Sequence, residues 1–210
     1  MISSIDTQKY LQASEIIDWQ NPEILELSRQ IASTCQTTEA TAKACFEWVR
    51  DEVQHSRDYQ MNPVTCRASD VLKYRTGYCF AKSHLLAALL RANQIPAGLC
   101  YQRLTIDHPP EQGSIDPNPP CTLHGLNAVL LPEFGWYRMD ARGNKDGVNA
   151  QFSPPQEQLA FELKISQEAN FPDILAEPLP IVVQVLQESQ TWQDVLISLP
   201  DITPEMWLKF

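Results

Sequence analysis

Basic charge is scarce in this chain: 16 lysines and arginines stand against 26 aspartates and glutamates, for a net charge of −10. Nucleic acid and anionic membrane surfaces both require basic protein surface, so neither is expected as a partner. No apolar run is long enough to span a bilayer, and no basic N-terminus leads into an apolar stretch. A cytoplasmic protein is the expectation. Metal-ligand pairs are missing too, with no C-x-x-C and no H-x-x-x-H. Cys121-Thr122-Leu123-His124 offers one C-x-x-H pair, whereas structural zinc sites generally use two close-spaced pairs. No cofactor motif occurs either, so neither a metal nor a cofactor is expected.

What is present suits a folded protein. At 210 residues, with 43% hydrophobic and 20% charged residues, the chain fits one domain over 1–210 with a sizeable core. Six cysteines (Cys35, Cys45, Cys66, Cys79, Cys100 and Cys121) without an export signal read as reduced thiols. Cys35, Cys45 and Cys100 sit in apolar-periodic surroundings, where a thiol behaves as a small buried hydrophobe.

Helical patterning covers 9–18 and 22–34, with Asn21-Pro22 as the start of the second helix. Thr38-Glu39-Ala40 leads into a third helix over 42–53, where Ala42, Cys45, Phe46 and Val49 follow helical spacing. Residues 54–68 read as irregular. Ser69-Asp70-Val71-Leu72 starts a short helical turn that ends before Gly77. From Tyr78 to Asn93 the chain is apolar nearly all round, the mark of a buried central helix, and Asn93 with Pro96 ends it.

A strand over 98–106 follows, then a loop over 107–121 that holds five prolines and no periodicity, of the kind that forms lids or binding loops. Residues 123–131 and 136–142 form a hairpin around Pro132-Glu133-Phe134-Gly135. That hairpin brings His124 near Asp140. His124 shares a face with Leu126, Ala128 and Leu130, the apolar face expected to pack on the central helix. Phe152-Ser153-Pro154-Pro155 and helical stretches over 180–188 and 192–199 read as covering elements. The fold class is α+β.

Chemistry enters with three residues. Cys79 sits where a loop ends and the central helix begins, His124 opens a strand, and Asp140 closes the next. A thiol at a helix N-terminus, an imidazole and a carboxylate are the parts of a cysteine acyl-transfer site. The thiolate attacks, the imidazole takes and returns the proton, and the carboxylate fixes the imidazole tautomer. His84 is not the base, because it falls about 140° from Cys79 around the helix.

The Cys79 backbone N–H is a candidate oxyanion donor, and Trp48, Gln54 and Gln102 are polar candidates for a second. His55 and His108 lie in irregular segments and read as solvated side chains. Residues 142–147 read as a turn that borders the substrate. Each of the three also has a plainer reading: Cys79 as a structural thiol, His124 as a satisfied core histidine, Asp140 as a carboxylate paired with Arg138 or Arg142.

The order Cys, His, Asp is joined by Phe46-Glu47-Trp48-Val49-Arg50-Asp51-Glu52-Val53, by the run from Thr76 to Arg91 around Gly77-Tyr78-Cys79, by Ile95-Pro96-Ala97-Gly98 and by Gly135-Trp136-Tyr137-Arg138-Met139-Asp140. Together these residues resemble the transglutaminase-like superfamily of papain-related folds, most nearly its small bacterial members. The resemblance implies N-terminal helices and a Cys-bearing helix packed on an antiparallel sheet. Residues 1–45 would form a helical layer, 46–145 the catalytic core and 151–210 a cover.

It also implies Cys79 as nucleophile, His124 as base and Asp140 as orienting carboxylate. The activity implied is that of a cysteine acyl-transferase, protease or amidase acting on a peptide or protein amide, or an ester, through a thioester. Transfer to an amine acceptor (transamidation) and transfer to water (hydrolysis) both remain open. So does a catalytically inactive interaction domain on the same fold. The chain departs from the family pattern at Gln94 and Gly98, which flank Ile-Pro-Ala where members usually carry Gly and Arg. It departs again at Gly125-Leu126, where the His is often followed by Ala-Trp.

Overall fold

The computed structural model describes residues 7–106 and 120–208. Helix α1 (Pro22–Ala32) begins where the Asn21 side chain accepts the Glu23 N–H at 2.9 Å, and Pro22 supplies the fixed φ of a first helical position. Helix α2 (Thr38–Glu52) starts ahead of its apolar stripe because the Thr37 hydroxyl accepts the Ala40 N–H at 3.1 Å. Two short strands, β1 (Gln54–His55) and β2 (Thr76–Gly77), pair in parallel with His55 opposite Gly77. Between them lie the single turn α3 (Ser56–Tyr59) and α4 (Ala68–Tyr74).

Helix α5 (Cys79–Ala92) is the hub, with every residue from Cys79 to Arg91 buried. Helices α1, α2 and α4 pack around it, and it lies against β3 (Ala97–Thr105) and β4 (Cys121–Leu131). With β5 (Gly135–Met139) and β8 (Ala169–Asn170), these strands make an antiparallel sheet in the order β5-β4-β3-β8. A separate hairpin, β6 (Gln151–Ser153) with β7 (Gln156–Gln158), sits beyond β5. Helices α6 (Pro180–Glu188), α7 (Trp192–Ile197) and α8 (Pro204–Trp207) complete the described chain. The mixed helix and sheet architecture is the α+β class expected. No helix among the described residues is long and apolar enough to cross a membrane.

The hub ends in a buried cation. Arg91 is fully buried at the last turn of α5, and its guanidinium donates to the carbonyls of Ala97, Gln12 and Ala176. Burial pulls its pKa down to about 10, against the pull of Glu177.

Several expectations change. Residues 9–18 are not a helix; only Lys9–Leu11 form a 3₁₀ turn. Beyond it tertiary partners claim two backbone carbonyls, Gln12 by Arg91 (2.7 Å) and Ile16 by the Ala68 N–H (2.9 Å), and the Asp18 side-chain carboxylate accepts the Ser69 N–H (3.0 Å). Residues 54–68 are not wholly irregular, since they carry β1 and α3. The second hairpin strand stops at Met139 rather than reaching 142.

The faces of β4 are also the reverse of those expected. Leu123, Val129 and Leu131 belong to the main core around α5, while Leu126 and Ala128 join Cys100 in a small cluster under Trp136, Leu159 and Ile174. Alternation cannot assign faces when a strand is buried on both, as β4 is. Of the expected loop over 107–121, residues 107–119 lie outside the described residues, and His108 with them.

Candidate active site

The Cys79 sulfur sits at the N-terminus of α5 with 7% of the residue exposed, and it lines a cleft of about 490 Å³. The helix can approach β4 here because residue 125 is glycine. A Cβ at that position would stand 2.8 Å from Phe80 Cδ1 and 3.1 Å from Phe80 Cα. The same approach lets the Gly125 N–H donate to the Cys79 sulfur at 3.5 Å.

His124, the preceding residue on β4, is buried, and its Nε2 lies 2.7 Å from Asp140 Oδ2. The Cys79 side chain lines the same cleft as His124. With Nε2 committed to Asp140, Nδ1 is the nitrogen left for the thiol. Asp140 follows directly after β5 and is fully buried. The β4–β5 register pairs Asn127 with Met139, so the carboxylate reaches His124 diagonally rather than from the directly opposite position. Asp140 also accepts the backbone N–H groups of Arg142 and Ala160, each at 3.1 Å. The structure therefore brings Cys79, His124 and Asp140 together.

Electrostatics follow from that geometry. Burial alone would lower the His124 pKa, but the Asp140 carboxylate and then the Cys79 sulfur outweigh it and raise the imidazole to about 10. Burial works against the Asp140 anion as well. The His124 charge and the hydrogen bonds from His124, Ala160 and Arg142 prevail and hold the carboxyl below its ordinary value. Burial pushes the thiols of Cys45, Cys66 and Cys100 up to about 12. His84, set aside as a base, bonds the Cys66 carbonyl at 2.8 Å instead, and burial lowers it to about 4.

Several expectations about the surroundings change. Arg138 pairs with Glu157 (2.7 Å), and the Arg142 guanidinium takes Asp58 through both oxygens (2.7 and 3.1 Å), so neither forms a side-chain pair with Asp140. Trp48, Gln54 and Gln102 do not line the cleft. Trp48 lies under the Arg75 guanidinium, and Gln102 donates to Asn170. His55 is not solvated: it is 5% exposed and lines the cleft. The turn after Asp140 does border the cleft, through Arg142 and residues 145–148.

Other groups at the site were missed. The Phe161 ring meets His124 edge-on at 5.1 Å and carries the Arg142 guanidinium at 5.4 Å. Lys82 is buried, and its ammonium donates to the carbonyls of Arg50 and Val53. Burial, and then the Arg142 charge, bring Lys82 down to about 7. The one available signal was for His55, which lies two residues after the buried Val53 and fits a half-buried strand.

A family model described as the transglutaminase-like superfamily matches residues 25–141, more than half of the chain. The chain belongs to that superfamily. Two solved structures share the transglutaminase-like fold with it. One is a candidate cysteine protease from Cytophaga hutchinsonii, 19% identical, with a TM-score of 0.52 and a match covering 67% of this chain and 43% of that one. The other is the periplasmic domain of TgpA from Pseudomonas aeruginosa bound to ethylmercury, 21% identical, with a TM-score of 0.50, covering 67% of this chain and 49% of that one. This transglutaminase-like chain thus spans less than half the length of either structure. No curated protein matches the sequence.

Proposed function

We propose that this protein is a cysteine acyl-transfer enzyme of the transglutaminase-like type, with Cys79 as nucleophile, His124 as general base and acid, and Asp140 as the group that orients His124. One observation carries this reading: an imidazole hydrogen-bonded to a fully buried carboxylate lines the same cleft as a thiol whose sulfur accepts the N–H of the very next residue, Gly125. The α5 N-terminus and the Gly125 N–H both face the sulfur and favour negative charge there.

The sulfur attacks an amide or ester carbonyl carbon, forming the C–S bond as the carbonyl electron pair moves onto oxygen. Collapse of that intermediate breaks the bond to the leaving group, which takes its proton from His124 and leaves a thioester on Cys79. A primary amine or water then gives up a proton to His124 and releases the acyl group. The substrate is a peptide or protein amide, and an amine is one of the two acceptors. That no two of the six cysteines are joined in a disulfide supports a reducing, cytoplasmic setting.

Iodoacetamide at neutral pH, followed by peptide mass spectrometry, tests the site. Cys79 is expected to alkylate fast, while Cys45, Cys66 and Cys100, with only about one thiol in 100,000 ionised at pH 7, stay silent. Slow labelling of Cys79 alongside those three would remove the proposal. Glutamine peptides with and without a primary amine then separate transamidation from ammonia release.

A further inference from the structure

His124 must hand its proton to the leaving group, so that group stands on the His124 side of the cleft and the acyl group on the other. The wall on the His124 side is built by the sheet and by the segment after α7. Gln102 lies opposite His124 in the β3–β4 register, which makes Leu104 the diagonal neighbour of His124 on the same face. The Phe161 ring meets His124 edge-on, and Leu199, half-buried, completes the wall. Phe161 and Leu199 both lie outside the stretch 25–141, so this wall is a feature of the chain rather than of the superfamily pattern.

The segment that carries Leu199 is fixed in place. The Pro200 carbonyl accepts the Leu123 N–H at 2.8 Å and the Thr122 hydroxyl at 3.1 Å. Asp201 takes the Arg103 guanidinium through both oxygens (2.7 and 2.6 Å), and Trp207 stacks on Phe171 with ring centroids 4.0 Å apart. The polar groups of the wall are taken up by one another. Glu168 accepts the Thr105 N–H and hydroxyl on one oxygen and the Lys164 N–H on the other, and the Thr122 hydroxyl is held by Pro200. What is left to meet a substrate there is aliphatic and aromatic surface, whereas Arg57, Arg142 and Lys145 give the cleft a charged lining elsewhere.

We infer that Leu199 is a specificity-determining residue, and that the wall it completes with Leu104 and Phe161 binds the leaving-group side of the substrate and selects an aliphatic chain next to the scissile bond. An acceptor enters where the leaving group left, so the same surface favours an alkyl acceptor over a charged one. Burying that chain against Leu199 removes apolar surface from water, and each added methylene strengthens the contact. The inference rests on the acyl-transfer reading above.

The probes are S-ethyl, S-butyl and S-hexyl thioacetate, which differ only in the chain of the leaving thiol. Cys79 takes the acetyl group, its new C–S bond forming as the bond to the leaving sulfur breaks, and the alkanethiol departs with the proton from His124. Substrate loss, followed by chromatography, should give a kcat/KM that rises by about twofold to fourfold per methylene. Lengthening the acyl chain instead, from S-ethyl thiobutanoate to S-ethyl thiohexanoate, should change it by less than about twofold. In Leu199→Ala the ratio of S-hexyl to S-ethyl cleavage falls by about fourfold or more, and damage common to both probes cancels in that ratio. If the Ala variant does not fold, Leu199→Gln, which keeps the bulk but not the apolar surface, must lower the ratio likewise. A flat series, an equal gain from the acyl chain, or a ratio that the variants leave unmoved overturns the inference. Cleavage of no thioester faster than by Cys79→Ala would instead overturn the acyl-transfer reading.

Discussion

Asp140→Asn removes one charge from the most buried point of the site while keeping its shape. Asp140 is fully buried and accepts three hydrogen bonds, one from His124 and two from the backbone N–H groups of Arg142 and Ala160. Asn has one acceptor oxygen in place of two, so its NH₂ must face an N–H donor, and one of the three bonds becomes a clash of donors. Losing one member of a buried charged pair costs about 3–5 kcal/mol. For a chain of this length that corresponds to a fall in Tm of about 6–20 °C.

His124 changes as well. It stands near 10 because Asp140 and Cys79 outweigh burial; with the carboxylate gone, burial prevails and the ring is neutral at pH 7. The sulfur then loses its cationic partner, and alkylation of Cys79 at pH 7 should slow by about tenfold or more. Calorimetry and an iodoacetamide pH series on the same preparation give both numbers. A variant that melts within about 2 °C of the parent, and whose alkylation profile superimposes on it, would show that Asp140 and His124 do not act as a pair.

Three further outcomes follow from the same geometry. Gly125→Ala forces a Cβ against Phe80 and should cost about 1–3 kcal/mol in urea denaturation, and it should slow alkylation by pushing the start of α5 away from β4. The His124 contribution to stability is present in full below its ordinary 6.5 and lost as pH rises through about 10, so denaturation midpoints should decline between pH 7 and 10, and the decline should vanish in His124→Gln. Asn127 is fully buried and donates to the carbonyls of Ser83 and Gly98, so Asn127→Ala should destabilise by about 1–3 kcal/mol on thermal melting.

What could be read from the sequence depended on how local the signal was. Helix α5, the hairpin and the Asn21 cap have short-range signatures, and they fold as expected. Cys79, His124 and Asp140 stand out in the sequence because they mark the ends of such elements. The segment over 9–18 misled because its periodicity was genuine but its carbonyls and carboxylates are taken by Arg91, Ala68 and Ser69, which only the folded chain brings near. The faces of β4 were ambiguous because the strand is covered on both sides. The burial of His55 leaves only a faint trace in the sequence, its two-residue spacing from Val53, because the strand that carries it is two residues long. Ala160 and Phe161, which complete the setting of Asp140 and His124, sit in a stretch without regular structure, and no pattern marks them.

The buried guanidinium at the end of α5 has a practical consequence for anyone trimming this protein. Two of its three carbonyl partners, Gln12 and Ala176, lie outside the stretch 25–141 that the family model matches. A fragment cut to those borders would leave the guanidinium with the Ala97 carbonyl alone and uncover the end of α5. The segments before and after the recognisable core are therefore its clasp, and dispensing with either should cost the whole fold rather than an appendage.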